Sequence, residues 1–227
     1  MCGRYSLTTP EEAIRNLFKI TGIYLNLLPR YNIAPSQYAP VITCHDNQRS
    51  MSLMRWGLVP SWSSTGPDNK FSMFNARAET IEEKPAFHGA LQKRRCLIPV
   101  DGFYEWKKEK TGKIPYHIKM MGGTTFTLAG LWEKWRDRNK LNLYTFTIIT
   151  TEANSFMSDI HKRMPVILNA EQQTMWFDGG KSNHLLRPYS STDLRANSIT
   201  SYINNTAHDD PKCLAERAPT KQENRLI

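Results

Sequence analysis

The feature that most constrains the fold is a series of short runs of β-forming residues at 39–44, 51–56, 96–100, 103–107, 115–120, 124–131 and 143–150, with Gly or Pro in nearly every interval. Runs this short, bounded by turn formers, pair with their neighbours in a sheet instead of alternating with long crossover helices. The expected class is therefore α+β: one domain with a β-rich, mostly antiparallel core and flanking helices. The runs 104–108 and 116–120 flank Lys110-Thr111-Gly112-Lys113 and predict a hairpin. Thr8-Thr9-Pro10-Glu11-Glu12 reads as an N-cap, a first-turn proline and dipole-favourable acids, opening a helix with Ile14, Leu17 and Phe18 on one face. A second helix is expected over Ala170–Phe177, with Asn169 as N-cap and Gln172 completing a capping box. No repeat or composition break divides the chain, so residues 1–213 are expected as one domain and the polar stretch 214–227 as a disordered tail.

Charge and cysteine usage narrow the function classes. Thirty Lys and Arg against 21 Asp and Glu give a net charge of +9, which favours polyanionic partners. Cys2, Cys44, Cys96 and Cys213 show neither Cys-x-x-Cys spacing nor paired histidines, so neither a zinc site nor a disulfide framework is supported and no metal or cofactor is expected. That usage fits a reducing cytoplasm. The start of the chain lacks the apolar stretch of a signal peptide, and no segment approaches the ~20 apolar residues of a membrane span. Nothing demands more than a monomer.

Four segments can carry chemistry. Removal of Met1 would leave Cys2 with an α-amine beside its thiol, a 1,2-aminothiol; an α-amine pKa of about 7.7–8.0 leaves an appreciable nucleophilic fraction at neutral pH. Arg4 could lower the thiol pKa or hold a phosphate. Asn75 and Arg77, in Phe-Asn-Ala-Arg-Ala-Glu-Thr, could orient a substrate and grip a phosphate, or could form an Asx turn and an Arg77–Glu79 ion pair. In Asp-Gly-Phe-Tyr-Glu-Trp, strand alternation sets Glu105 on the Phe103 face among poorly hydrated neighbours, where its pKa would rise; a solvated sheet face is the alternative. In Asp-Ile-His-Lys-Arg-Met-Pro, His161 could move protons and Arg163 could bind phosphate. Aromatic residues interleave with basic ones at Arg55-Trp56, Ser61-Trp62 and Trp106-Lys107-Lys108, a pattern suited to stacking unpaired bases. Trp62, in a Pro/Ser-rich loop, is the surface candidate, whereas Trp132, Trp135 and Trp176 are expected in the core.

Taken in order, Met-Cys-Gly-Arg-Tyr, Tyr-Asn-Ile-Ala-Pro, Met-Arg-Trp-Gly-Leu-Val-Pro-Ser-Trp and the three motifs above closely resemble the SOS response-associated peptidase (SRAP) family, from Cys2 to about Cys213. The resemblance implies a mixed α+β domain with a positively charged cleft and no metal. It implies that Cys2, freed of Met1 by an aminopeptidase or by self-processing, captures the ring-opened aldehyde of an abasic site in single-stranded DNA as a covalent crosslink, in the DNA damage response. Asn75, Glu105 and His161 fall at the family's active-site positions: Asn75 to orient the sugar or the amine, Glu105 to transfer protons, and His161 to assist that cycle or an associated β-elimination. Arg4, Arg77 and Arg163 would grip phosphates. Two rivals are a thiol or autoproteolytic peptidase using Cys2 with His161 and Glu105, and a non-catalytic single-strand-binding module.

Overall fold

A computed structural model describes residues 2–67, 73–110, 112–180 and 183–218. Met1 and residues 219–227, on which part of the leader and tail expectations rest, lie outside them.

The expected runs all become strands. β3 (Tyr38–His45) and β4 (Gln48–Trp56) form a hairpin whose two loop residues, Asp46 and Asn47, hold φ of 48° and 59°. Two successive left-handed residues match the strands' right-handed twist, and Asp and Asn tolerate that conformation better than most. β6 (Arg95–Val100) pairs with β3 and with β9 (Phe126–Arg136). β10 (Asn142–Glu152) pairs antiparallel with β9 and parallel with β4, so β10, β4, β3, β6 and β9 close into a small barrel. Trp56 and Phe146, ring centroids 6.0 Å apart, fill its interior, and Tyr5 packs on Trp56 at 5.2 Å.

β10 runs on past the barrel. There β5 (Asn75–Arg77) pairs with it in parallel, Ile148 opposite Asn75, while β11 (Arg163–Pro165) pairs antiparallel, Glu152 opposite Arg163. β12 (Ile167–Leu168) closes the edge on β9.

A second, antiparallel sheet is formed by β1 (Tyr5–Leu7), β2 (Arg30–Ile33), β7 (Gly102–Glu109), β8 (Gly112–Met120) and β13 (Leu194–Ser198), in the order β13-β8-β7-β1-β2. The expected hairpin is β7–β8, closing at Glu109 opposite Gly112. Gly102 is required where β1 crosses β7: a Cβ there would come within 2.7 Å of the Ile118 carbonyl and strike the His117 ring.

The helices divide. α4 (Ala170–Phe177) carries the full expected capping box, Asn169 and Gln172 each bonding the other's backbone N–H. α1 (Glu11–Phe18) buries Ile14 and Phe18, but Leu17 is 54% exposed and Pro10 stands at the cap without a side-chain bond. The Thr8 and Thr9 hydroxyls bond Asp101 instead, and the buried face is completed by Glu11, which accepts from the Leu25 and Leu27 amides, and by Arg15, which donates to the Gly22 and Ile23 carbonyls. α2 (Pro85–Lys93) and the single turn α3 (Ser155–Ser158) were not read from the sequence, although Phe87, Ala90 and Leu91 give α2 a buried stripe. Past β13 the chain stays engaged through 3-10 turns at Ser201–Asn204 and Pro211–Leu214, and Glu216 bridges Ile199.

Candidate active site at the amino terminus

The residues ahead of β1 form an arm along β7. Tyr5 stands opposite Phe103 and the Tyr104 amide donates to the Arg4 carbonyl at 2.9 Å. In an antiparallel pair each step back along the arm is a step forward along β7, so the arm leads Cys2 toward Glu105 and Trp106. Asp101 fixes the other end of β1: its carboxylate accepts from the amides of Thr8 (2.5 Å) and Thr9 (3.0 Å) and from the hydroxyls of Thr8, Thr9 and Thr125 at 2.9, 2.7 and 2.8 Å.

Three further elements converge on Cys2, which is fully buried. From β5, the Asn75 Nδ2 donates to the Cys2 carbonyl at 3.0 Å, and its Oδ1 is buried with no hydrogen-bond partner among the described residues. From β7 comes Glu105, 3% exposed on the Phe103 face as strand alternation requires. From the α3–β11 loop, the His161 Nδ1 lies 3.9 Å from the Glu105 Oε1 and 3.1 Å from both the amide and the carbonyl of Arg163. The His161 side chain is 31% exposed, so the cluster opens to solvent on its side.

Burial sets the electrostatics. Desolvation pushes the Glu105 carboxyl above the usual carboxylate range, and His161 pulls it partly back. Desolvation, with the Glu105 charge adding to it, pushes the Cys2 thiol far up. The lowering expected of Arg4 is outweighed and does not come from its charge: the guanidinium is turned onto Asn32 Oδ1 and the Ile203 carbonyl, at 2.9 and 3.0 Å, and the thiol meets Arg4 through a long contact to its carbonyl oxygen, at 3.9 Å.

The residues expected to meet phosphates and bases differ in availability. Trp62 is 68% exposed at the end of a loop that Trp135 pins by a 2.7 Å bond to the Ser63 carbonyl. Arg77 is exposed two strand positions after Asn75, hence on the same face. Arg163 is held bidentate by Glu79 at 2.6 and 2.9 Å and also reaches the Thr150 carbonyl, so Glu79 pairs with Arg163 rather than Arg77. Trp56, grouped in the sequence with basic neighbours, is wholly core, as is Trp176, whereas Trp132 and Trp135 are half-buried.

Sequence reasoning missed the residues that hold the arm: Asp101, Asn32 and His117, whose Nε2 lies 3.1 Å from the Ser6 hydroxyl. Asp101 lies in the Asp-Gly-Phe-Tyr-Glu-Trp motif, but its five donors are contributed by two segments, Thr8-Thr9 and Thr125, neither of them adjacent to it in sequence. Among the described residues no group of His, Cys, Asp and Glu side chains could hold a metal ion, and no helix is long and apolar enough to cross a membrane.

Comparison with known proteins places these features in a family. The model of the SOS response associated peptidase (SRAP) family matches residues 1–206. A Bacillus subtilis protein named abasic site processing protein YoaM is 41% identical over 224 residues, 94% of this chain and 97% of that protein. The Pongo abelii protein named abasic site processing protein HMCES is 33% identical, over 82% of this chain and 65% of that one. Among solved structures, a Bacteroides thetaiotaomicron protein matches with a TM-score of 0.87 at 27% identity, covering 96% of this chain and all of the other. On a family match that spans both sheets and all four site residues, the chain belongs to the SOS response associated peptidase (SRAP) family.

Proposed function

We propose that the protein processes abasic sites in single-stranded DNA by covalent capture through Cys2, as part of the DNA damage response. The observation that carries the reading is the convergence of Asn75, Glu105 and His161 on a cysteine that becomes an amino-terminal residue once Met1 is removed. In the chemistry proposed, the Cys2 amine adds to the sugar aldehyde and loses water to give an imine. The Cys2 sulfur then adds to the imine carbon, and the thiol proton passes to the nitrogen, closing a thiazolidine. Because burial favours the neutral thiol, ring closure needs a group that takes that proton and returns it. A carboxyl with a raised pKa, such as Glu105, suits both halves.

His161, at the open side of the cluster, is assigned to proton transfer in release of the adduct or in an associated β-elimination. The unpartnered Asn75 Oδ1 offers an acceptor to a sugar hydroxyl while Nδ2 holds the Cys2 carbonyl. Arg77 and Trp62 are the outward-facing groups for phosphate and base; Arg163 reaches DNA in this proposal only by exchanging Glu79 for a phosphate. The thiol-peptidase alternative asks for a resting thiolate, which this burial opposes.

Intact-protein mass spectrometry after mixing with an abasic single strand tests the reading. The expected result is a heat-stable adduct with the wild type, none with Cys2→Ala, and none with a variant that retains Met1. An undiminished adduct in Cys2→Ala would remove Cys2 from the mechanism.

A further inference from the structure

Residues 199–217 touch the site from behind. The segment is rigid in itself: Ile199, Ile203 and Cys213 are buried around Tyr104, the Tyr202 and His208 rings stack at 3.7 Å, and Asp210 accepts from the Lys212 amide and the Tyr202 hydroxyl, both at 2.8 Å. It is also locked to β2. The Asp209 carboxylate accepts from the amides of Tyr31 and Asn32, at 2.5 and 2.9 Å, and pairs with Arg30. The wholly buried Asn32 side chain donates back through Nδ2, whose two hydrogens are shared among the Ile203, Asn205 and His208 carbonyls at 3.2, 3.0 and 2.8 Å. The family match ends at residue 206, so His208, Asp209 and Asp210 lie beyond it.

From this base the segment takes hold of two residues beside the reacting groups. Arg4, two positions after Cys2, donates through Nη1 to Asn32 Oδ1 and the Ile203 carbonyl, and through Nη2 to the Asn204 carbonyl at 3.4 Å. Trp106, the residue after Glu105, donates through Nε1 to Asn204 Oδ1 at 2.8 Å. Asn204 thus bonds the nucleophile's arm with its carbonyl and the acid's strand with its side chain.

We infer that Arg4 is a positioning residue and that residues 199–217 are a strap which, through Arg4 and Trp106, sets the distance between Cys2 and Glu105; the inference rests on the covalent-capture reading above. A guanidinium grips a phosphate best through two of its nitrogens acting together. In Arg4 both terminal nitrogens are already committed to neutral oxygens of the protein. Asn75 holds the arm at the Cys2 carbonyl and β7 at the Arg4 carbonyl, which leaves the Arg4 side chain as the link between the arm and the strap, and a misplacement of about 1 Å between reacting groups can cost 10²-fold in rate.

The test is single-turnover adduct formation by the Met1-free protein, with an abasic single strand and separately with glyoxylate, a small aldehyde that carries no phosphate. Wild type, Arg4→Ala and Asn204→Ala are compared, with thermal unfolding run on each. Arg4→Ala should lower the limiting rate at least about tenfold with both aldehydes, leaving half-saturation and the salt dependence of binding to an intact single strand unchanged. Asn204→Ala, at an exposed position, should lower the limiting rate with both as well, and it carries the test through Trp106 should Arg4→Ala fail to fold. A salt slope that falls by about one in Arg4→Ala, with glyoxylate reacting at the wild-type rate, makes Arg4 a phosphate ligand and overturns the inference. Wild-type limiting rates in Asn204→Ala overturn the strap. No adduct in the wild type itself overturns the covalent-capture reading, and this inference with it.

Discussion

Acidification should loosen the sheet that carries the Cys2 arm through a single buried residue. His117 lies on β8 under the β1–β7 crossing, its Nε2 3.1 Å from the Ser6 hydroxyl and its ring 4.8 Å from that of Tyr104. Burial first, then the neighbouring Lys119 charge, lowers its pKa from 6.5 to about 4, against a smaller upward pull from Asp101. A histidine whose folded pKa is depressed binds its proton more readily when unfolded. Its contribution is therefore complete above the unfolded value and is lost as pH falls through the window from 6.5 to about 4. With those two pKa values, the loss between pH 7 and pH 5 comes to about 2 kcal/mol. Glu105, whose pKa is raised, acts with the opposite sign over part of the same range, so the wild-type profile alone is ambiguous. The measurement is urea unfolding at pH 7, 6 and 5 for the wild type and for His117→Gln, which keeps a polar group for Ser6 but binds no proton. The wild type should lose about 2 kcal/mol more than the variant on going to pH 5. Parallel profiles would show that His117 accepts its proton within the fold, and the desolvation argument would be wrong.

Other perturbations read the site and its supports separately. Glu105→Gln preserves shape but cannot cycle a proton; it should slow adduct formation or reversal by about 10²-fold or more while affinity for intact single strands stays near wild type, as single-turnover kinetics and binding would report. Asp101→Ala strands five donors, two of them backbone amides, and should cost about 3 kcal/mol, seen as a fall in Tm of roughly 6–12 °C; a shift under about 2 °C would mean that water replaces the carboxylate. Asn169→Ala removes the α4 cap at a cost of about 1 kcal/mol in urea unfolding, with no change in adduct rate, since α4 packs on β6 and β12, which carry none of the proposed reacting groups. Binding should favour single strands over plain duplex and weaken steeply with salt; Arg77→Ala should reduce affinity more than reactivity, and equal affinity for intact duplex would count against the surface drawn from Arg77 and Trp62.

What could be read from the sequence follows the range of the interactions involved. The β-runs and the β7–β8 hairpin were legible because alternation and turn residues are local, and the α4 capping box because its two partners lie three residues apart. The face of Glu105 was legible for the same reason, since Phe103 lies two positions back on one strand, but alternation alone left a solvated face open, and only the fold decides for burial. Convergence on Cys2 was not. It depends on β10 running past the barrel to collect β5 and β11, pairings across 73 and 15 residues that leave no periodic trace in either short strand. α1 shows how local signals mislead. Thr8 and Thr9 have the composition of a cap, yet their amides and hydroxyls donate to Asp101, more than 90 residues away, and Pro10, with no side-chain acceptor, takes the cap position.

The same contrast explains why the arm needs so many long-range partners. A nucleophile at a mature amino terminus, as proposed for Cys2, would be tethered on one side only, and ordering each backbone residue costs about 1–2 kcal/mol. One sheet register cannot offset that over three residues, so the arm draws on groups from elsewhere: Asp101 beyond Leu7, His117 under Ser6, the 199–217 strap at Arg4 and Asn75 at Cys2 itself. Each of these comes from a different part of the chain. The reacting groups are split in the same way, Glu105 belonging to the Arg4 sheet and Asn75 and His161 to strands and loops around β10. Cys2 therefore sits at the junction of the two sheets, where a small shift of one against the other changes its distance to Asn75 and His161 without changing either sheet internally. The proposed strap acts on the other half of this geometry, the arm against β7 within its own sheet, which is why the Arg4→Ala comparison separates rate from affinity.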